Sequence, residues 1–160
     1  MKRPEIIILL DIDNTLFNTE KLKNSNLSMF ELYDEVVDAL RKLSKISTLG
    51  IFSQGQVAFQ NKKLYETNIE HYFSEEHKYI VENKIAIMKE VFDKYKYKVK
   101  VYFIDDWLEM LRVAKIIEPS VITIWMKRGE YAHTQEEHSD FTPDIVVNNL
   151  AEAVPFITPQ

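Results

Sequence analysis

The chain has 160 residues, of which 46% are hydrophobic and 28% charged, the profile of one soluble globular domain spanning 1–160. It contains no cysteine, which excludes disulfide frameworks, thiolate-held zinc, iron–sulfur clusters and thiol nucleophiles. Its three glycines, Gly50, Gly55 and Gly129, are too scattered for a Walker loop or a dinucleotide fingerprint, and a net charge of −5 argues against a dedicated binder of nucleic acid or anionic membrane.

Ile6 to Leu10 is a continuous β-branched and aliphatic run, which suits a central parallel strand covered on both faces. It is far shorter than the roughly 20 residues of a membrane span, and no signal-peptide pattern surrounds it, so the expected compartment is the cytoplasm. Ser28-Met29-Phe30-Glu31 reads as a capping box opening the first helix, with Met29, Leu32, Tyr33, Val36, Val37, Leu40 and Leu43 at helical spacing. A second strand, Ile46 to Phe52, ends at Ser53. Gln54 to about Asn68 forms the next helix, with Val57, Leu64 and Tyr65 expected on its buried side.

Asn83 caps a third helix, Lys84 to about Tyr95, whose Ile85, Met88, Val91 and Phe92 share a face. Val99 to Ile104 is a strand, Asp106 opens a helical stretch through Ile117, Val121 to Met126 is a strand, and Ile145 to Val147 is a short last one. Asn149 to Glu152 then caps a terminal turn. Leu16 to Leu27 and Ile69 to Glu82 lack clear periodicity, and each is too short for a separate domain. The alternation of strand and helix predicts an α/β fold, a three-layer doubly wound parallel sheet joined by right-handed crossovers.

In such sheets ligands bind outside the carboxyl ends of the strands. The first strand ends in Asp11-Ile12-Asp13-Asn14-Thr15, the second in Ser53-Gln54-Gly55, and a later one in Ile104-Asp105-Asp106. A single Asp at a strand end is commonly a helix cap, but here four carboxylates gather on one rim. Two like charges about 4 Å apart repel by about 4 kcal/mol at an effective dielectric near 20, so a cation belongs among them. Oxygen ligands without cysteine suit a hard divalent ion, which points to Mg²⁺, and Lys84 offers a second positive charge.

These residues resemble the haloacid dehalogenase superfamily in its phosphatase branch. Asp11-Ile12-Asp13-Asn14-Thr15-Leu16 looks like the family's Asp-x-Asp-x-Thr motif, with Asn14 where Gly is more usual. Ser53 looks like the second motif, Lys84 the third, and Ile104-Asp105-Asp106 the fourth. The resemblance implies that Asp11 attacks phosphorus to form an aspartyl-phosphate and that Asp13 acts as general acid and then base. It further implies that Thr15, Ser53, Gln54, Gly55 and Lys84 surround the phosphate. Mg²⁺ would be held by Asp11, Asp105 and the carbonyl of Asp13, while Asp106 either assists the metal through water or caps its helix.

Within the superfamily, dehalogenases lack an acid at the second Asp and transport ATPases carry Thr, so Asp13 favours phosphomonoester chemistry. The two aperiodic segments leave little room for a cap domain, and a minimal or absent cap favours hydrolysis over phosphoryl transfer. The expected substrate is a small phosphorylated molecule. The alternatives are phosphate groups on nucleic acid or protein, or a non-catalytic binding or regulatory protein of the same fold.

Other features have plainer readings. Lys94 to Lys100 interleaves lysines with aromatics, which can track nucleic acid or simply form a solvated strand entry. His71, His77, His133 and His138 show no zinc-ligand pattern. Lys127 and Arg128 either meet an anionic substrate or belong to a solvated loop with Glu130, Glu136, Glu137 and Asp140. Trp107 and Trp125 read as core or rim packing.

Overall fold

The computed structural model describes residues 5–95 and 99–157. At its centre β1 (Glu5–Leu10) pairs in parallel with β2 (Thr48–Gln54), Ile8 opposite Leu49, and with β4 (Val99–Asp105), Ile8 opposite Tyr102. Outward lie β3 (Phe73–Val81) beside β2, and β5 (Ile122–Met126) and β6 (Ile145–Val147) beyond β4. The six strands run in the order β3-β2-β1-β4-β5-β6, all parallel. The apolar run of β1 serves two cores by alternation: Ile6, Ile8 and Leu10 enter one, and Ile7 and Leu9 the other.

The first core is closed by α2 (Val36–Leu43), α7 (Leu150–Ala153) and Leu64 of α3 (Val57–Glu66). The second is closed by α4 (Lys84–Asp93) and α5 (Leu108–Ile117). Two short helices, α1 (Thr19–Asn24) and α6 (Gly129–Thr134), follow the carboxyl ends of β1 and β5. The result is the three-layer doubly wound α/β architecture. Among the described residues no helix is long and apolar enough to cross a membrane.

Four elements depart from the sequence reading. The Ser28–Glu31 capping box opens no helix, because the Glu31 carbonyl accepts the Asn18 N–H, Tyr33 N–H donates to the Leu16 carbonyl, and Leu32 bridges Phe17 in antiparallel fashion. With its backbone committed to that neighbour, the segment stays extended, leaving Met29 exposed, and α2 begins only at Val36 with its buried stripe at Val36, Ala39, Leu40 and Leu43.

The Ile69–Glu82 segment contains a whole strand, β3. Its pairing with β2 jumps from Leu49↔Phe73 to Ile51↔Lys78, so a bulge of extra residues erases the two-residue period. Gly50 lies against that bulge, where a Cβ would come within 2.4 Å of the His77 carbonyl oxygen. Finally, α3 turns Val57 and Tyr65 outward and buries Gln60 and Lys63 beside Leu64. In α4, likewise, Ile85 is exposed while Met88, Val91 and Phe92 pack inward. The terminal cap stands as read, the Asn149 side chain accepting the Glu152 N–H at 3.0 Å.

Candidate active site

The carboxyl ends of β1, β2 and β4 bring Asp11, Ser53, Asp105 and Asp106 to one buried rim, and the first turn of α4 brings Lys84 to it. Lys84 is 2% exposed, and its Nζ lies 3.1 Å from Asp11 Oδ1 and 2.6 Å from Asp105 Oδ2. Two elements place it there: the Asn83 side chain caps α4 through Ala86 N–H, and the Gln54 side chain accepts the Lys84 N–H at 2.9 Å. Burial works against the Lys84 charge, but Asp105 and Asp11 outweigh it and hold the ammonium above the usual lysine range.

One lysine does not neutralise the cluster. Oxygens of Asp11, Asp105 and Asp106 all lie within 4.8 Å of one another. Burial pushes the Asp11 carboxyl up to about 7, opposed by Lys84 and reinforced by Asp105 and Asp13. Burial, then Asp11 and Asp105, push Asp106 up to about 9. Three buried carboxylates on one side and a single ammonium on the other are a donor set suited to a hard divalent cation.

Asp106 is not a helix cap. The first N–H of α5, from Leu108, donates instead to the Gln135 side chain at 2.8 Å, and Asp105 Oδ1 accepts the Trp107 N–H at 2.8 Å. The Asp106 carboxylate accepts from the Asn14 side chain at 3.0 Å. Asn14 has φ 57°, a left-handed conformation in which Gly or Asn is favoured, and Gly129 passes so close that a Cβ there would meet Asn14 Cγ at 2.8 Å.

Asp13 stands apart from the lysine-bridged cluster. Its Oδ1 accepts from Lys63 Nζ at 2.6 Å and from the Thr19 hydroxyl at 2.7 Å, and its Oδ2 from Gln60 Nε2 at 2.9 Å. The same Gln60 amide donates to the Ser53 hydroxyl at 2.9 Å, joining two residues read from separate motifs. Burial raises the Asp13 carboxyl, but the Lys63 charge and these hydrogen bonds overcome it and leave it below its ordinary value. The sequence reading missed Lys63, Gln60 and Thr19. The one available signal was polar residues at helical spacing, Gln60 and Lys63, on the stripe that Leu64 marks as inward.

The remaining expected phosphate contacts are distributed unevenly. Thr15 is buried, and its hydroxyl has no partner among the described residues. The Gln54 side chain is engaged with α4, and the Gly55 N–H donates to the Val81 carbonyl at 2.8 Å. Gly55 (φ 154°) gives Gln60 its room, since a Cβ would stand 3.1 Å from the Gln60 Cδ.

Arg128 neither faces solvent nor waits for an anion. Its guanidinium donates to the Asn14 carbonyl at 3.0 Å, to the Thr15 carbonyl and to Glu35 Oε1 at 2.6 Å, and lies 3.6 Å over the Tyr33 ring. Lys127 sits over the Trp125 ring and pairs with Glu137. Trp125 is core, its indole N–H donating to the Asp106 carbonyl at 3.1 Å, while Trp107 packs edge-on against Tyr131. No histidine joins the acidic cluster among the described residues: His77 contacts Tyr95 and His138 contacts Glu109. Of the lysine–aromatic run, residues 96–98 lie outside the described residues, and Lys94 stands over the Tyr79 ring.

No protein-family model and no curated protein matches the chain. Solved structures do. A protein described as a haloacid dehalogenase-like hydrolase of Burkholderia xenovorans LB400 superposes with a TM-score of 0.79 at 19% identity, over 95% of this chain and 96% of the other. The HAD-hydrolase YfnB of Bacillus subtilis, in a magnesium-bound form, gives 0.73 at 14% identity, over 97% and 99%. A predicted phosphoglycolate phosphatase of Haemophilus somnus 129PT gives 0.72 at 14% identity, over 94% and 96%. L-2-haloacid dehalogenases are among the similar structures too. With its strand order, its acidic rim and these superpositions, the chain has the haloacid dehalogenase-like fold.

Proposed function

We propose that the protein is a Mg²⁺-dependent phosphomonoester hydrolase acting on a small phosphorylated molecule through an aspartyl-phosphate on Asp11. The observation that carries this reading is the pair of differently wired carboxylates two residues apart: Asp11 on Lys84, Asp13 on Lys63. A site built only for displacement by Asp11 has no use for the second. The resemblance assigns such an acid to phosphatases and not to dehalogenases, which supports the phosphatase reading over the dehalogenase one.

In the first half-reaction an Asp11 oxygen bonds to phosphorus as the ester P–O bond breaks, and the leaving oxygen takes a proton from Asp13. In the second, Asp13 takes a proton from water as its oxygen attacks phosphorus, releasing phosphate and restoring Asp11. The Lys63 pair favours the ionised Asp13 that this second step needs and works against the protonated form that the first step draws on. Lys84 offsets charge on the nucleophile and on the phosphoryl oxygens, and the hydroxyls of Ser53 and Thr15 donate to those oxygens. Asp11, Asp105, Asp106 and the Asp13 carbonyl would hold Mg²⁺, which supplies charge neutralisation at the transferring phosphoryl group.

The test is hydrolysis of p-nitrophenyl phosphate by the full chain with and without Mg²⁺. Asp11→Asn is expected to remove turnover while the protein remains folded by circular dichroism. Undiminished turnover in that variant, or chloride release from 2-chloropropionate in place of phosphate release, would overturn the reading.

A further inference from the structure

Between α1 and α6 lies a cavity of about 190 Å³ lined by Asn14, Thr19, Glu20, Lys23, Glu130, Tyr131 and Thr134. Two of its walls belong to the site already described. Thr19 donates to Asp13, and Asn14 donates to Asp106, so the cavity opens beside the group that would serve the leaving oxygen. The pocket is preformed: Glu20 Oε1 accepts the Glu130 N–H and ties the two helices together, and the bare Gly129 lets α6 close onto Asn14. Nothing in the phosphoryl chemistry itself requires Glu20, Lys23, Glu130, Tyr131 or Thr134.

We infer that this cavity is the leaving-group subsite of the proposed phosphatase, and that it takes a neutral, hydroxyl-rich moiety, making the substrate a sugar or polyol monophosphate. This inference rests on the phosphatase reading. The lining selects the class. Glu20 and Glu130 accept hydroxyl hydrogens, as does the Thr134 hydroxyl, whose own hydrogen points to the Glu130 and Tyr131 carbonyls, while Lys23 and the Tyr131 hydroxyl donate, and the Tyr131 ring, 41% exposed, offers a face to sugar C–H groups. Two carboxylates against one ammonium disfavour a leaving group that itself carries a carboxylate. At about 190 Å³ the cavity is smaller than the roughly 300–1,000 Å³ of drug-sized ligand pockets, which suits a single sugar-sized ring better than a nucleoside.

The full chain with Mg²⁺ is assayed on glucose 6-phosphate, phosphoglycolate, adenosine 5′-monophosphate and acetyl phosphate, the last too small to reach the subsite. Glucose 6-phosphate is expected to lead phosphoglycolate and the nucleotide by roughly tenfold or more in kcat/KM. Tyr131→Ala and Glu130→Gln should each raise its KM roughly three- to tenfold, the range of one or two lost hydrogen bonds or ring contacts, while acetyl phosphate hydrolysis stays within about twofold. Calorimetric titration of glucose 6-phosphate into Asp11→Asn protein supplies a readout without turnover, and Tyr131→Ala should weaken that binding equally. Preference for phosphoglycolate or the nucleotide, or a selectivity unmoved by both substitutions, overturns the subsite. Tyr131-dependent binding without phosphate release from any ester keeps the subsite and overturns the phosphatase reading.

Discussion

Lys63 is 4% exposed, sits between the rings of Phe17 and Phe59, and spends its charge on Asp13. A buried ammonium survives only with a partner, so the pair is one unit in which each member holds the other in place. Replacing it as Lys63→Met removes the charge that keeps the Asp13 carboxyl low. The acidic limb of the kcat profile should then move to higher pH, and kcat should fall roughly tenfold or more with KM little changed. Lys63→Arg should restore part of both, and an unmoved limb would mean that Asp13 is not the titrating base. Asp11, Asp13 and Lys84 were legible because each sits at the end or start of an element whose type the sequence declares. Lys63 and Gln60 were not, since apolar spacing treats Val57 and Tyr65 as the inward residues and cannot see that a buried acid recruits polar partners.

At the scale of elements, β3 shows how much one glycine permits. The bulge that hides this strand from periodic reading packs its His77 backbone onto Gly50, with Leu9 Cδ2 2.9 Å from where a Cβ would stand. One neighbour is backbone, and the other is a methyl held by packing in the core. Gly50→Ala is therefore expected to cost about 1–3 kcal/mol in urea denaturation, the range for overpacking, with the loss concentrated at β2 and β3 by hydrogen exchange. A neutral result would mean that the edge strand shifts freely. The extended run from Ser28 to Tyr33 teaches a related lesson. Its sequence satisfies the pattern of a helix start, but backbone pairing with residues 16–18 takes the groups that the helix would have used.

For the whole molecule, two apolar layers hold the fold, while the acidic rim works against it. In the absence of a cation, Asp11 and Asp106 are held above their ordinary carboxyl values, so the folded chain keeps protons that the unfolded chain has already released. The sign follows directly: from the ordinary carboxylate range up to about pH 9, stability falls as pH rises. A divalent cation bound at the rim would reverse this by displacing those protons. Mg²⁺ should raise the Tm more at pH 8.5 than at pH 5.5 (roughly chosen to bracket that range). A gain that is equal at both, or absent, would remove the cation from the rim. The doubly wound architecture itself was legible from the run of strands and helices, because burial on both faces leaves continuous apolar segments such as Ile6 to Leu10.

Arg128 gathers parts of the chain that lie far apart in sequence. It grips the carbonyls of Asn14 and Thr15 and the carboxylate of Glu35, and Glu35 in turn accepts the Leu150 N–H at 3.0 Å. The loop bearing Asp11 and Asp13 leaves the ribosome early, yet its backbone clamp arrives more than a hundred residues later, and the anchor of that clamp later still. A nascent or truncated chain that has completed β1, β2 and β4 thus carries every acidic residue of the rim without the brace that sets their loop. The brace on that loop is complete only once α7 is in place.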